Sequence, residues 1–170
     1  VILMGQSLCG FLAVEWTMAH KAAVKRLILA SPFLGLPALP VCRTLNAIIK
    51  FFFPGYIYRN PVIPTHLSHD PREIAAYQSD RLIKRSIPAR LIGSLMERMA
   101  RLQRKETVTI PIPVHVLAAG KERIVDPKAT RRFFLRLVTP KKEFTEFEGF
   151  YHEVFNERGQ DRAFNVLRTI

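Results

Sequence analysis

Val1-Ile-Leu-Met-Gly5-Gln6-Ser7-Leu8-Cys9-Gly10 opens the chain, and its reading decides the fold. Residues 1–4 are a short, wholly apolar run, as expected of a strand buried on both faces. The run meets Gly5. From about Gly10 to Lys21, Phe11, Val14 and Met18 recur at three- and four-residue spacing, which predicts a helix. Arg26-Leu-Ile-Leu-Ala30 then predicts a second buried strand, stopped by Ser31-Pro32. Strand, helix and strand within thirty residues predict the start of a parallel α/β sheet.

This order breaks from Gly35 to about Pro64, where prolines alternate with bulky apolar residues such as Ile48-Ile-Lys-Phe51-Phe52-Phe53-Pro-Gly-Tyr56. From Asp70-Pro71 to about Lys105 the pattern is helical and basic, interrupted by Pro88. The alternation then returns. Val114-His-Val-Leu-Ala118 predicts a buried strand, and Asp126-Pro127 caps and opens a helix to about Leu137. Lys142 to Phe147 alternates charged and apolar residues, as a strand near a sheet edge does. A loop from Gly149 to His152 precedes a last helix expected from about Glu157 to the end. The expected organisation is a core segment at 1–34, an inserted helical cap or lid at 35–106, and a second core segment at 107–170. Its mostly parallel sheet has about four strands flanked by helices. No internal repeat or low-complexity tract is present.

Ser7 falls where a buried strand turns sharply into a helix. Small residues must flank such a serine so that the backbone can pass, and Gly5, Cys9 and Gly10 meet that need. The turn exposes the hydroxyl and aims the helix N-terminus, with its partial positive charge, at a developing oxyanion, with the Leu8 N–H as one donor. Alone, the motif also fits a glycine-rich turn without chemistry. Two later features bear on the choice. Gly120-Lys-Glu122-Arg-Ile-Val-Asp126 places acids after the third strand, Glu122 as the orienting carboxylate and Asp126 as the alternative acid or a helix cap. Gly149-Phe-Tyr-His152 places a histidine after the fourth. In that order His152 is the general base for Ser7, and the acid holds its tautomer.

These stretches, with Leu67-Ser-His69-Asp70-Pro, Ala76-Tyr-Gln-Ser-Asp80 and Glu148-Gly-Phe-Tyr-His152-Glu-Val-Phe-Asn-Glu157, resemble the monoacylglycerol lipase and lysophospholipase group of α/β-hydrolases, related to the serine aminopeptidase-type lipases. The resemblance spans nearly the whole chain and is most specific in its last stretch. It implies an α/β-hydrolase fold and a serine esterase acting on a lipid ester, with nucleophile Ser7, acid Glu122 and base His152. That family usually carries Asp at the acid position, His where this chain has Gln6, and Gly where it has Cys9. It also implies that early strands and a second oxyanion loop precede Val1. Without them this stretch is expected to be weakly active, since one lost oxyanion donor costs about 10²–10³ in rate.

Charge adds a second theme. Of 26 Lys and Arg, 16 lie between Arg81 and Lys142 against four acids (Glu97, Glu106, Glu122 and Asp126), and the rest of the chain is neutral. Arg81, Lys84 and Arg85, and Arg98, Arg101 and Lys105, sit at the spacing of solvated helix faces. The same charge suits an anionic membrane surface beside the apolar Ile48–Tyr58 stretch. No zinc-finger or ribonucleoprotein pattern accompanies it, so a nucleic-acid partner is not expected. Leu27–Cys42, the longest uncharged run, is too short and too proline-broken to span a bilayer. Two cysteines suit a reducing, cytoplasmic setting, with peripheral membrane contact. His66, His69 and Asp70 lack a further ligand at metal spacing, and neither metal nor cofactor is expected. Competing readings are a non-lipid ester or peptide hydrolase, and a non-catalytic membrane-surface module that keeps the fold.

Overall fold

In the computed structural model, which describes residues 1–20, 23–37 and 39–170, β1 (Ile2–Gln6), α1 (Ser7–Ala19) and β2 (Arg26–Ala30) form the expected strand–helix–strand unit. The chain continues through α2 (Leu39–Phe52), β3 (Ile57–Arg59), one turn of tighter helix at Pro64–His66, α3 (Pro71–Ser79), β4 (Ser86–Pro88) and α4 (Ala89–Arg104). It closes with β5 (Val108–Thr109), β6 (Val114–Ala119), α5 (Pro127–Arg136), β7 (Leu137–Val138), β8 (Lys142–Phe147) and α6 (Asp161–Thr169).

Four strands make the main sheet in the order β1-β2-β6-β8, every pair parallel, with Ile2 opposite Arg26, Leu27 opposite Val114 and Val114 opposite Lys142. Side chains alternate across a strand, so β2 serves two cores at once. Leu27 and Leu29 pack with Phe11 and Val14 of α1, Met99 of α4 and Phe133 of α5. Ile28 and Ala30 point the other way, toward Phe147, Phe150, Val154 and Ala163 of α6. A strand buried on both faces must be apolar throughout, which is why 27–30 carries no polar residue. β1 and β8 are the edges of this sheet. Because all four strands run the same way, the loops after Gln6, Ala30, Ala119 and Phe147 leave from one end, where open α/β sheets carry their sites.

Several elements depart from the sequence expectation. α1 starts at Ser7 instead of Gly10. Lys21, its expected end, lies outside the described residues. Residues 39–52, where sequence order had broken down, form α2: Pro40 sits in the first turn, where its missing N–H costs nothing. Arg81, Lys84 and Arg85 are not helical. α3 stops at Ser79, Asp80 accepts from the Leu82 amide (2.8 Å), and the Arg85 guanidinium covers the Tyr77 and Gln78 carbonyls (2.7 and 3.0 Å). The last helix starts at Asp161, not Glu157, because Gly159 (φ +78) breaks the chain just before it. Two small pairings, antiparallel β3–β4 and parallel β5–β7, were not anticipated.

The segment expected as cap divides physically. α2 leans on α4, fastened by Asn46, which donates to Ala89 O (3.3 Å) and accepts from the Tyr58 hydroxyl (2.9 Å). α4 itself buries Met96, Met99 and Leu102 in the core beneath the sheet. α4 thus packs against α2 and into the core at once.

Candidate active site

Ser7 is the first residue of α1, directly after Gln6 ends β1. It holds φ +52, a left-handed value that, among the described residues outside glycine, only Ser31 (φ +39) shares. Such a conformation costs about 1–3 kcal/mol and persists only where neighbours impose it. Here the chain must reverse within two residues. A Cβ at Gly5 would lie 2.7 Å from the Cys9 carbonyl carbon, and one at Gly10 would lie 2.9 Å from Pro32 Cβ. Gly5 and Gly10 are therefore the positions that demand glycine, while Cys9 enters the Gly5 contact only through its backbone carbonyl and is itself exposed. Ser7 O accepts from Phe33 N (2.8 Å), pinning the turn to the loop after β2. No side chain caps α1. Its first-turn amides, Leu8 N–H among them, have no partner within the helix and face outward as a group of donors.

Glu122 and His152 come together from loops thirty residues apart. His152 Nδ1 donates to Glu122 Oε2 at 2.8 Å, and both side chains are about 3% exposed. Glu122 Oε1 accepts from the Ile124 and Val125 amides (2.8 and 3.2 Å). Three donors on one buried carboxylate lock its orientation and leave His152 Nε2 as the ring's free nitrogen. Asp126, the alternative acid, is used otherwise: it caps α5 through the Lys128 amide (2.9 Å) and pairs with Arg132 (3.2 Å). No hydrogen bond joins Ser7 to His152 among the described residues, and such bonds often tighten only in the reacting complex.

Ser7 and Leu8 line a cavity of about 480 Å³ between the sheet's loops and the segment 60–95. Phe33, Leu36, Ile63, Ile87, Ile92 and Leu95 give it apolar walls, and Asn60, His66 and Arg123 are its polar points. Arg123 and Ile124, which follow Glu122 directly, line the same space. The acid loop and the serine turn thus open onto one chamber, mostly apolar with a few polar fixtures. Sequence reasoning missed Arg123 and the chamber itself, since residues from five separate segments build it.

A second carboxylate lies behind this site. Glu157, five residues past His152, has a side chain 1% exposed and accepts from the Tyr151, His69 and Arg158 amides (2.9, 2.9 and 2.8 Å) and from His69 Nδ1 (2.8 Å). Burial pushes its pKa up, but these bonds outweigh burial and hold the carboxyl below the usual range. Asp70, which opens α3, is lowered to about 2 by its bonds to the Arg72 side chain and amide. His115, expected as a sheet residue, is buried and bonded to Thr145 (2.8 Å). Cys42 is half-buried against the main core. Among the described residues no cluster of three or more His, Cys, Asp or Glu side chains is arranged to hold a metal ion, and no helix is long and apolar enough to cross a membrane.

Comparison with known proteins places this arrangement. Residues 1–159 match the Hydrolase_4 family model, serine aminopeptidase S33. The chain is 28% identical over 175 residues to phospholipase YtpA of Bacillus subtilis (strain 168), covering 99% of this chain and 66% of that protein. Among solved structures, the monoacylglycerol lipase of Paleococcus ferrophilus superposes with a TM-score of 0.87 at 25% identity, over 98% of this chain and 65% of that one. A soluble variant of the monoglyceride lipase of Saccharomyces cerevisiae, solved with a substrate analog, gives 0.86 at 19% identity, over 99% and 60%. The chain thus spans less than two thirds of the relatives named here.

Proposed function

Since the chain belongs to the serine aminopeptidase (S33) family, with an α/β-hydrolase fold, we propose that it cleaves the carboxylic ester of a single-chain lipid, a monoacylglycerol or lysophospholipid, through an acyl-enzyme on Ser7. The observation that carries the reading is the buried His152–Glu122 pair at 2.8 Å, with Ser7 and the two residues after Glu122 lining one apolar chamber. His152 Nε2 takes the Ser7 proton as the oxygen attacks the ester carbonyl. The oxyanion forms at the α1 N-terminus, where the Leu8 amide donates. Glu122 keeps the Nδ1 proton in place and stabilises the imidazolium, which then protonates the leaving alcohol. Water repeats the sequence on the acyl-enzyme and frees the fatty acid. The apolar walls favour an acyl chain over a peptide.

A fluorophosphonate probe applied to the natively expressed protein is expected to label Ser7 alone, with monoacylglycerol or lysophospholipid competing for labelling. Labelling elsewhere, or competition only by short polar esters or peptides, would count against a lipid substrate.

The cap supports a further part of the proposal, contact with an anionic membrane surface. Val41, Leu45, Ile48 and Phe52 form an exposed stripe along α2, with Phe51 (79% exposed) beside it, and Arg43 and Lys50 lie on the same helix. An exposed apolar stripe suits a helix lying in the lipid interface, while Arg43 and Lys50 fall on the opposite face of α2, where Lys50 pairs with Glu97 (3.9 Å). Burying a phenylalanine gives about 1.5–3 kcal/mol, so Phe51→Asp is expected to weaken partitioning onto anionic vesicles about tenfold or more. Sedimentation with phosphatidylglycerol vesicles measures this, and labelling of Ser7 by a water-soluble probe should stay unchanged. Equal partitioning of variant and parent would remove α2 from the membrane contact.

A further inference from the structure

We propose that Glu157, with His69 and Tyr151, is a positioning clamp that ties the entrance of the cap to His152 and Glu122. The inference rests on the catalytic roles proposed above for those two residues. Residues 67–70 lead into α3 of the cap, and they are stitched to the segment following His152 at four points. Glu153 N donates to Leu67 O (2.9 Å), the Ser68 hydroxyl donates to Asn156 O (2.7 Å), and both the amide and Nδ1 of His69 donate to Glu157. Glu157 also accepts from the amide of Tyr151, the residue just before His152. One buried carboxylate therefore fixes the backbone on each side of this junction. The His69 ring stacks on Tyr151 (centroids 3.7 Å apart), and the Arg123 guanidinium lies 4.7 Å from the centre of that same ring. Arg123 is the residue next to Glu122. The cap entrance, the histidine loop and the acid loop thus meet on Tyr151, anchored by Glu157.

The chemistry of the cluster requires a carboxylate. Four N–H donors converge on Glu157, and only a group that accepts at both oxygens satisfies them all. An amide would turn two hydrogens toward donors and leave buried N–H groups unpaired. The consequence falls on geometry: freed of its tie, the Tyr151–His152 backbone shifts, and a displacement of 1 Å near reacting atoms can cost about 10²-fold in rate.

The test uses Glu157→Gln, His69→Phe and His69→Asn in the natively expressed protein. Turnover is expressed per probe-titrated Ser7, and proton NMR follows the far-downfield Nδ1 proton shared by His152 and Glu122. Glu157→Gln is expected to lower kcat per titrated site about 10- to 100-fold with KM within threefold, and to broaden or shift that proton. His69→Phe keeps the ring and loses the donor, so it should follow Glu157→Gln in direction. His69→Asn returns an N–H near the Nδ1 position and should recover much of the loss. His69 is 38% exposed at its side chain, so its variants serve if Glu157→Gln does not fold. Parental kcat per site and an unmoved proton in variants that only melt earlier would overturn the proposal, leaving Glu157 a structural fastening. A parent protein without ester turnover whose downfield proton still responds to Glu157→Gln would sink the hydrolase reading while supporting the clamp.

Discussion

Ser7→Ala and His152→Ala are each expected to lower kcat on a lipid ester by about 10⁶, and the double variant to fall no further, because nucleophile and base act as one unit. Without Oγ there is nothing for His152 to deprotonate, and without Nε2 the hydroxyl stays protonated at neutral pH. The residual rate would come from the Leu8 amide and from substrate binding in the chamber. Both changes leave the fold alone in different ways. Ser7→Ala keeps a Cβ at the strained φ, whereas His152→Ala leaves Glu122 held by the Ile124 and Val125 amides. Steady-state kinetics beside thermal melts measure the effect. A His152→Ala variant within tenfold of the parent, or a double variant whose losses multiply, would remove the pair from the mechanism.

Glu122→Gln is the second large effect, expected at about 10⁴ in kcat with a melting temperature within a few degrees of the parent. The amide oxygen of Gln can still accept from Ile124 and Val125. Its NH2 then faces His152 Nδ1, which must turn into an acceptor. The ring proton moves to Nε2, the nitrogen that has to be bare to receive the Ser7 proton. The fault is one of tautomer, not of folding. Glu122→Asp keeps the charge with a reach shorter by one methylene, and should retain more activity than Gln. Equal activity of Glu122→Gln and the parent would mean that another group orients His152. Asp126 is already occupied by Lys128 and Arg132 and is poorly placed for that role.

Much of this architecture was legible because two periodicities are hard to disguise. Residues 26–30 and 142–147 were read as strands with the bounds observed, the first from an unbroken apolar run and the second from alternation. Asp126-Pro127 announced α5 because its cap bond is made within three residues. Elements whose signal depends on distant partners were not legible. α2 hid among prolines, since the helix draws its support from α4 across forty residues of sequence. The arginines at 81–85 carry helical spacing, yet one of them is spent covering the end of α3. Glu157 read as the start of the last helix, but it lies before that helix and binds elsewhere. Its actual donors come from residues 69, 151 and 158.

By itself the sequence determined the strand–helix–strand start, the serine at the turn, and the order of serine, acid and histidine along the chain. Those follow from local stereochemistry: which residues tolerate a tight turn, and which faces must be apolar. The sequence preferred Glu122 to Asp126 as the partner of His152, and the tertiary structure shows the bond itself: the bend after β6 turns Glu122 toward His152 and leaves Asp126 to cap α5. Tertiary structure also decided that Gly5 and Gly10 are the crowded positions of the Ser7 turn, against the Cys9 carbonyl and Pro32, and that a chamber assembled from separate segments opens at Ser7. Pairings of this kind are set by how a parallel sheet gathers its loops at one end, a property that no single stretch of the chain contains.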